Sequence, residues 1–174
     1  MEPEIKRILY ATDLSPNSAH AMLYASKIAH QNDARVVVLH VIEKMSTSTR
    51  SLLSYYVDDE EIEAKNKERV SYQTERIRKR LDRLCERECT RDPDFLKRLE
   101  RIEVREGYPA DDILKEAEAS GSDLIVMGTH GKGNLENTFM GSVARRVLRN
   151  ASLPVLIVPL PKGSSEITFR DESI

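Results

Sequence analysis

Residues 123–159 read DLIVMGTHGKGNLENTFMGSVARRVLRNASLPVLIVP, and the fold turns on how this stretch is parsed. It opens on Asp123 to Gly128 and closes on Pro154 to Val158, two short apolar runs of the kind a strand covered on both faces needs. Between them a glycine-bearing loop leads to Gly141-Ser142-Val143, where a helix starts that reaches Asn150. Strand, loop, helix and strand in that order make a parallel crossover unit. Four of the seven glycines in the chain (Gly128, Gly131, Gly133 and Gly141) fall inside it. Glycine lets backbone approach a ligand closely and take up positive φ. A helix start offers unpaired N–H groups and the positive end of its dipole. Together these suit a phosphate.

Working outward, the same alternation recurs. The first strand is expected at Ile5 to Thr12, around the apolar run Ile8-Leu9-Tyr10-Ala11. Ser15 then reads as an N-cap with Pro16 at the first helical position, where a missing N–H costs nothing. The helix runs to about Asn32, with Ala21, Ala25, Ile28 and Ala29 on one face. Arg35 to Ile42 is a β-branched second strand. Glu43 to Asp58, with its polar run Ser46 to Ser51 and then Tyr55-Tyr56, is expected to be a long, mobile loop. A highly charged helix follows from Asp59 to Glu88, with Val70, Ile77, Leu81 and Leu84 as a narrow apolar stripe. Asp92-Pro93-Asp94 breaks it. Arg101 to Glu106 is a weaker third strand, ended by Gly107, and Pro109 to Ala119 is a helix with Ile113, Leu114 and Ala117 inward. The whole reads as one domain over 1–160, holding the loop at 43–58 and an extended helical insertion at 59–100, then a polar tail at 161–174. In such α/β sheets ligands bind outside the carboxyl ends of the strands, where the strand order reverses. The positions to inspect are therefore Ala11-Thr12-Asp13, Val41-Ile42-Glu43, Gly107-Tyr108 and Met127-Gly128-Thr129.

Two common phosphate loops fail against this text. A Walker A loop needs Lys and Ser or Thr after its second glycine, and Gly128-x4-Gly133 is followed by Asn134 and Leu135. A dinucleotide fingerprint needs a third glycine where Glu136 stands after Gly131-x-Gly133. What remains is Gly-x2-Gly-x9-Gly-Ser at Gly128, Gly131, Gly141 and Ser142. With Ile8 to Asp13, Val38-Leu39-His40-Val41 and the stretch Asp123 to Pro159, this spacing resembles the universal stress protein family, in its ATP-binding branch. The resemblance covers about 120 residues; the middle, Glu43 to Glu100, is longer and more charged than a minimal member. It implies a Rossmann-like open five-stranded parallel sheet of order 3-2-1-4-5 with helices on both faces. It further implies ATP as ligand, with Asp13 and the backbone around Ala11, Thr12 and Val41 at the adenosine end. Met127 and Gly128 would line the ribose side, and Gly131, Gly141, Ser142 and Val143 would hold the phosphates. Mg2+ or Mn2+ is expected with the triphosphate, and a homodimer through the last strand, Pro154 to Val158, whose open edge invites pairing. The function implied is a nucleotide-dependent regulatory or stress-response switch with slow hydrolysis at most. The alternatives are an adenine-nucleotide hydrolase or transferase on the same fold, and a dimeric interaction module that no longer uses nucleotide. No PP-loop or His-Ile-Gly-His signature supports the former, and no catalytic residue is assigned.

Bulk properties agree. With 174 residues, 27 basic against 29 acidic and 40% apolar, the chain is globular, and an extended duplex-binding footprint is not expected. No apolar run approaches the roughly 20 residues of a membrane span, and the acidic start Met1-Glu2-Pro3-Glu4 lacks a signal peptide's pattern, so a cytoplasmic protein is expected. Several other features carry blander readings. His130 lacks an orienting partner for general-base work, and Lys132 reads as a solvated residue as readily as a phosphate contact. Arg145 and Arg146 sit at the wrong end of a helix dipole and read as surface. Cys85 and Cys89, four apart on a helix, lack the further ligands a zinc site needs. The run Arg76 to Arg80 is interleaved with acids and reads as a solvated face.

Overall fold

The computed structural model describes residues 4–129 and 140–159. Five strands, β1 (Arg7–Ala11), β2 (Arg35–Glu43), β3 (Leu99–Gly107), β4 (Leu124–Gly128) and β5 (Val155–Val158), form one sheet in the order β3-β2-β1-β4-β5. Every neighbouring pair is parallel, with Ile8 in register with both Val36 and Leu124. Among the described residues six helices connect them: α1 (Pro16–Asn32), α2 (Thr47–Leu53), α3 (Asp59–Cys89), α4 (Phe95–Arg98), α5 (Pro109–Ala119) and α6 (Ser142–Asn150).

Local chemistry explains most boundaries. Ser15 caps α1 by accepting from the Ser18 N–H, and Pro16 fills the first helical position. At the other end Asp33 takes the left-handed conformation, φ 51°, and ends the helix without a glycine. The stretch expected to be a structureless loop at 43–58 instead carries α2, capped by Ser46 accepting from the Thr49 N–H. The serine and threonine run that reads as loop chemistry is here used to start a helix, which buries none of its residues. The helical insertion resolves into α3 and the short α4, and β3 begins two residues earlier than expected, at Leu99.

Strand alternation divides the core in two. One face sets Tyr10, Val36, Val38 and Val126 against Ala21, Met22 and Ala25 of α1, with Leu81, Leu84 and Cys85 of α3 behind them. The other sets Leu9, Val37, Leu39, Ile125 and Met127 against Ala110, Ile113 and Ala117 of α5 and Ala144 and Val147 of α6. Small residues on α1 let its axis lie close to the strands. The alternation expected from sequence, a parallel sheet covered on both faces, is what the topology shows.

Candidate functional site

β1 and β4 are adjacent, yet their chains leave the sheet in opposite directions: β1 feeds α1 on one face, and β4 leads to α6 on the other. Such a divergence opens a crevice at the carboxyl ends of the strands. A cavity of about 280 Å3 occupies it, near the lower end of the roughly 300 to 1,000 Å3 usual for small-molecule sites. Most of its walls come from four places. Ala11, Thr12 and Asp13 follow β1, Leu39 and Val41 come from β2, Met127, Gly128 and Thr129 from the end of β4, and Gly141 to Ala144 from the start of α6.

Hydrogen bonds fix the loop between β1 and α1. The Thr12 hydroxyl accepts from the Leu14 N–H at 3.1 Å and donates to the Ser18 hydroxyl at 2.9 Å. An Asp13 carboxylate oxygen accepts from the Ser15 N–H at 3.0 Å across a short turn, and Asp13 is one of the residues lining the cavity. Leu14, buried between them, is held at φ 64°, a conformation leucine rarely adopts and one that needs such bracing. Beneath the loop, His40 Nδ1 lies 2.8 Å from the Thr12 carbonyl oxygen. A carbonyl only accepts, so Nδ1 carries the proton. The Tyr10 hydroxyl donates to the Ser18 carbonyl at 2.6 Å, and burial pushes its phenol well above the ordinary tyrosine range, keeping it a donor.

The phosphate side rests on α6. Gly141 is its N-cap residue, and Ser142 and Val143 form the first turn on the cavity wall. Gly141 itself supplies no side-chain cap, and a helix start of this kind offers N–H donors to an anion. Gly141 has φ −63° and ψ 157°, and among the described residues the only glycine with positive φ is Gly121. The expectation that the site glycines take up positive φ therefore does not hold at Gly128 or Gly141; what they offer is space. At Gly128 that space is used by α1: an added Cβ would stand 3.1 Å from Cγ and Oδ1 of Asn17.

Nine residues expected at the site, Ala11, Thr12, Asp13, Val41, Met127, Gly128, Gly141, Ser142 and Val143, line this one cavity. The tenth, Gly131, lies outside the described residues, as do His130 and Lys132. Ile42, Glu43, Gly107 and Tyr108, also strand-end positions, do not line it. Thr129, one of the strand-end positions singled out for inspection, does line it, and so do Ser18, Leu39, Ile113 and Ala144, which were not singled out. Leu39 was legible in principle, since it shares the strand face of Val41 two residues on. Arg146 pairs with Asp111 at 2.7 Å on the surface, as a solvated reading of Arg145-Arg146 requires.

Comparison with known proteins agrees with this architecture. The sequence pattern of the Universal stress protein family matches residues 4–159. Universal stress protein MJ0577 of Methanocaldococcus jannaschii is 34% identical over 164 residues, spanning 88% of this chain and 94% of its own length. Universal stress protein YxiE of Bacillus subtilis is 30% identical over 153 residues, spanning 87% and 97%. Among solved structures, hypothetical protein MJ0577 superposes with a TM-score of 0.62 at 29% identity, covering 90% of this chain and 97% of its own. A universal stress protein in complex with cAMP superposes with a TM-score of 0.52 at 20% identity, covering 90% and 98%, a likeness of fold. This chain belongs to the universal stress protein family.

Proposed function

We propose that the chain binds ATP in the β1–β4 crevice and acts as a nucleotide-dependent regulatory or stress-response switch, with slow hydrolysis at most. The observation that carries this reading is the one cavity whose lining includes both Asp13 and Val41 and the glycine-led start of α6. Apolar walls from Leu39, Val41, Ile113 and Met127 suit a base, Asp13 suits a ribose hydroxyl or an exocyclic amine, and helix N–H groups suit phosphates. Gly131 is proposed to extend the phosphate contacts. Mg2+ or Mn2+ would be carried mainly by the phosphate oxygens; among the described residues no group of three or more His, Cys, Asp or Glu stands together to hold an ion.

The test is to denature the purified protein, identify any released nucleotide, and titrate ATP calorimetrically with and without Mg2+. Saturable binding supports the proposal, and no binding at about millimolar ATP overturns it. Turnover above about 1 per second, near the low end of ordinary enzymes, would favour a hydrolase or transferase. A homodimer through β5 is proposed with it. That strand closes one edge of the sheet, and Val155, Leu156 and Ile157 remain only half-buried there. Sedimentation equilibrium returning the monomer mass would remove this part. No helix of the described residues is long and apolar enough to cross a membrane.

A further inference from the structure

Asn17, the second residue of α1, is 6% exposed and does not line the cavity. Its side-chain amide donates to the Thr129 hydroxyl at 2.8 Å across 112 residues of sequence. It can reach because Gly128 has no side chain: a Cβ there would also come within 3.2 Å of the Asn17 backbone carbonyl carbon. Thr129 in turn joins two further pieces of chain. Its N–H donates to the Val158 carbonyl at 3.1 Å, and its carbonyl accepts from the Gly141 N–H at 2.8 Å. Gly141 is the residue from which α6 starts. The two stems of segment 130–140 are thus closed by one backbone hydrogen bond, and the residue that accepts it is held by a side chain from α1.

We infer that Asn17 is a positioning residue for the phosphate end of the nucleotide site. It acts through Thr129, fixing the carbonyl that ties down Gly141 and so the direction in which the first turn of α6 presents its N–H groups. Asp13, in the loop after β1, and Val41, on β2, stand at the proposed adenosine end and do not share this bond. The inference rests on the ATP reading for its ligand but not for its geometry. It makes a split that a merely structural role would not. A fold-wide loosening weakens adenosine and ATP alike, whereas a displaced α6 start weakens only the ligand that carries phosphates.

The experiment uses Asn17→Ala and, independently, Thr129→Val, each titrated with ATP and with adenosine by calorimetry. Amide exchange at Gly141 is followed by NMR without ligand. Each variant is expected to bind ATP about five- to tenfold more weakly, the scale of one buried hydrogen bond. Adenosine affinity should change by less than about twofold, and Gly141 should exchange faster. The double variant should lose less ATP affinity than the two single losses combined, because both remove the same bond. Equal losses for the two ligands, or unchanged Gly141 exchange in both variants, would overturn the inference. If the unsubstituted protein binds no ATP, the functional reading fails by itself, and Gly141 exchange alone then upholds or sinks the role of Asn17 in placing α6.

Discussion

Gly107 stands where β3 hands the chain to α5, and its hydrogen atom is all the space allows. A Cβ there would lie 2.2 Å from Oδ2 of Asp112. That oxygen accepts from the Tyr108 N–H at 2.7 Å, closing the start of α5 where Tyr108 supplies no side-chain cap. Gly107→Ala should therefore swing Asp112 away and cost about 1 kcal/mol, the scale of a lost helix cap. Denaturant unfolding measures it, and Asp112→Ala should cost a similar amount with little added in the double variant. Full additivity would mean that the clash is not with Asp112. Glu88 offers a second residue-scale test. It is buried beside Arg91, and burial raises its carboxyl above the ordinary 4.5 against the lowering effects of Ser26 and Arg91. The folded chain thus keeps this proton to higher pH than the unfolded one. The stability so gained is complete below 4.5 and is lost as pH rises through the raised folded value. Glu88→Gln should flatten that loss, read as urea midpoints from about pH 4 to 7. A slope steeper than that of the unsubstituted protein would contradict the burial effect.

At the scale of elements, β3 is an edge strand whose α5-facing side is built from charge. Arg101 and Arg105 both donate to Glu116 of α5, whose carboxylate is 5% exposed while the two guanidinium groups are about a third exposed. This clamp joins an edge strand to its covering helix without apolar surface that could recruit another chain. Glu116→Gln keeps the shape and removes the charge. Charge-assisted bonds of this kind contribute up to about 3 kcal/mol, but the exposure of both arginines screens them. The expected cost is about 1 to 2 kcal/mol in the unfolding free energy, and no change would show that water replaces the clamp freely. Sequence reading found β3 but called it weak, because Arg101, Glu103 and Arg105 occupy one alternating face where apolar residues would signal a strand. The same reading anticipated both ends of α1 and α5, where Ser15, Pro16 and Pro109 speak through backbone chemistry alone. It missed α2, since Ser and Thr cap helices and populate loops with the same bonds. It also missed Asn17 and Ser18, and singled out Thr129 only as a strand end. Strand ends can be listed from sequence, but which side chain crosses from one element to another is set by packing, and no spacing from Asn17 to Thr129 encodes a contact.

The parallel sheet gathers the carboxyl strand ends on one rim, and the β1–β4 divergence opens a cavity there. Its walls are drawn from β1, β2, β4, α1, α5 and α6, so helices of both layers contribute. A ligand seated there touches elements distant in sequence, so its binding is linked to global unfolding and not to a local opening. ATP at about one hundred times its dissociation constant should stabilise the folded chain by about 2.7 kcal/mol. For a domain of this size each kcal/mol moves the midpoint about 2 to 4 °C, so a rise of about 5 to 11 °C is expected. Gly141→Val provides the control. Gly141 already has extended backbone angles, so valine fits its conformation, though it is a poorer N-cap and adds bulk on the cavity wall. The cap loss lowers the midpoint with and without ATP by the same amount and cancels in the difference between the two. The obstruction of the α6 N-terminus does not cancel. The ATP-induced rise should therefore vanish in Gly141→Val while circular dichroism reports an intact fold. If the variant keeps the full rise, phosphates do not bind at the α6 start, whatever else the crevice holds.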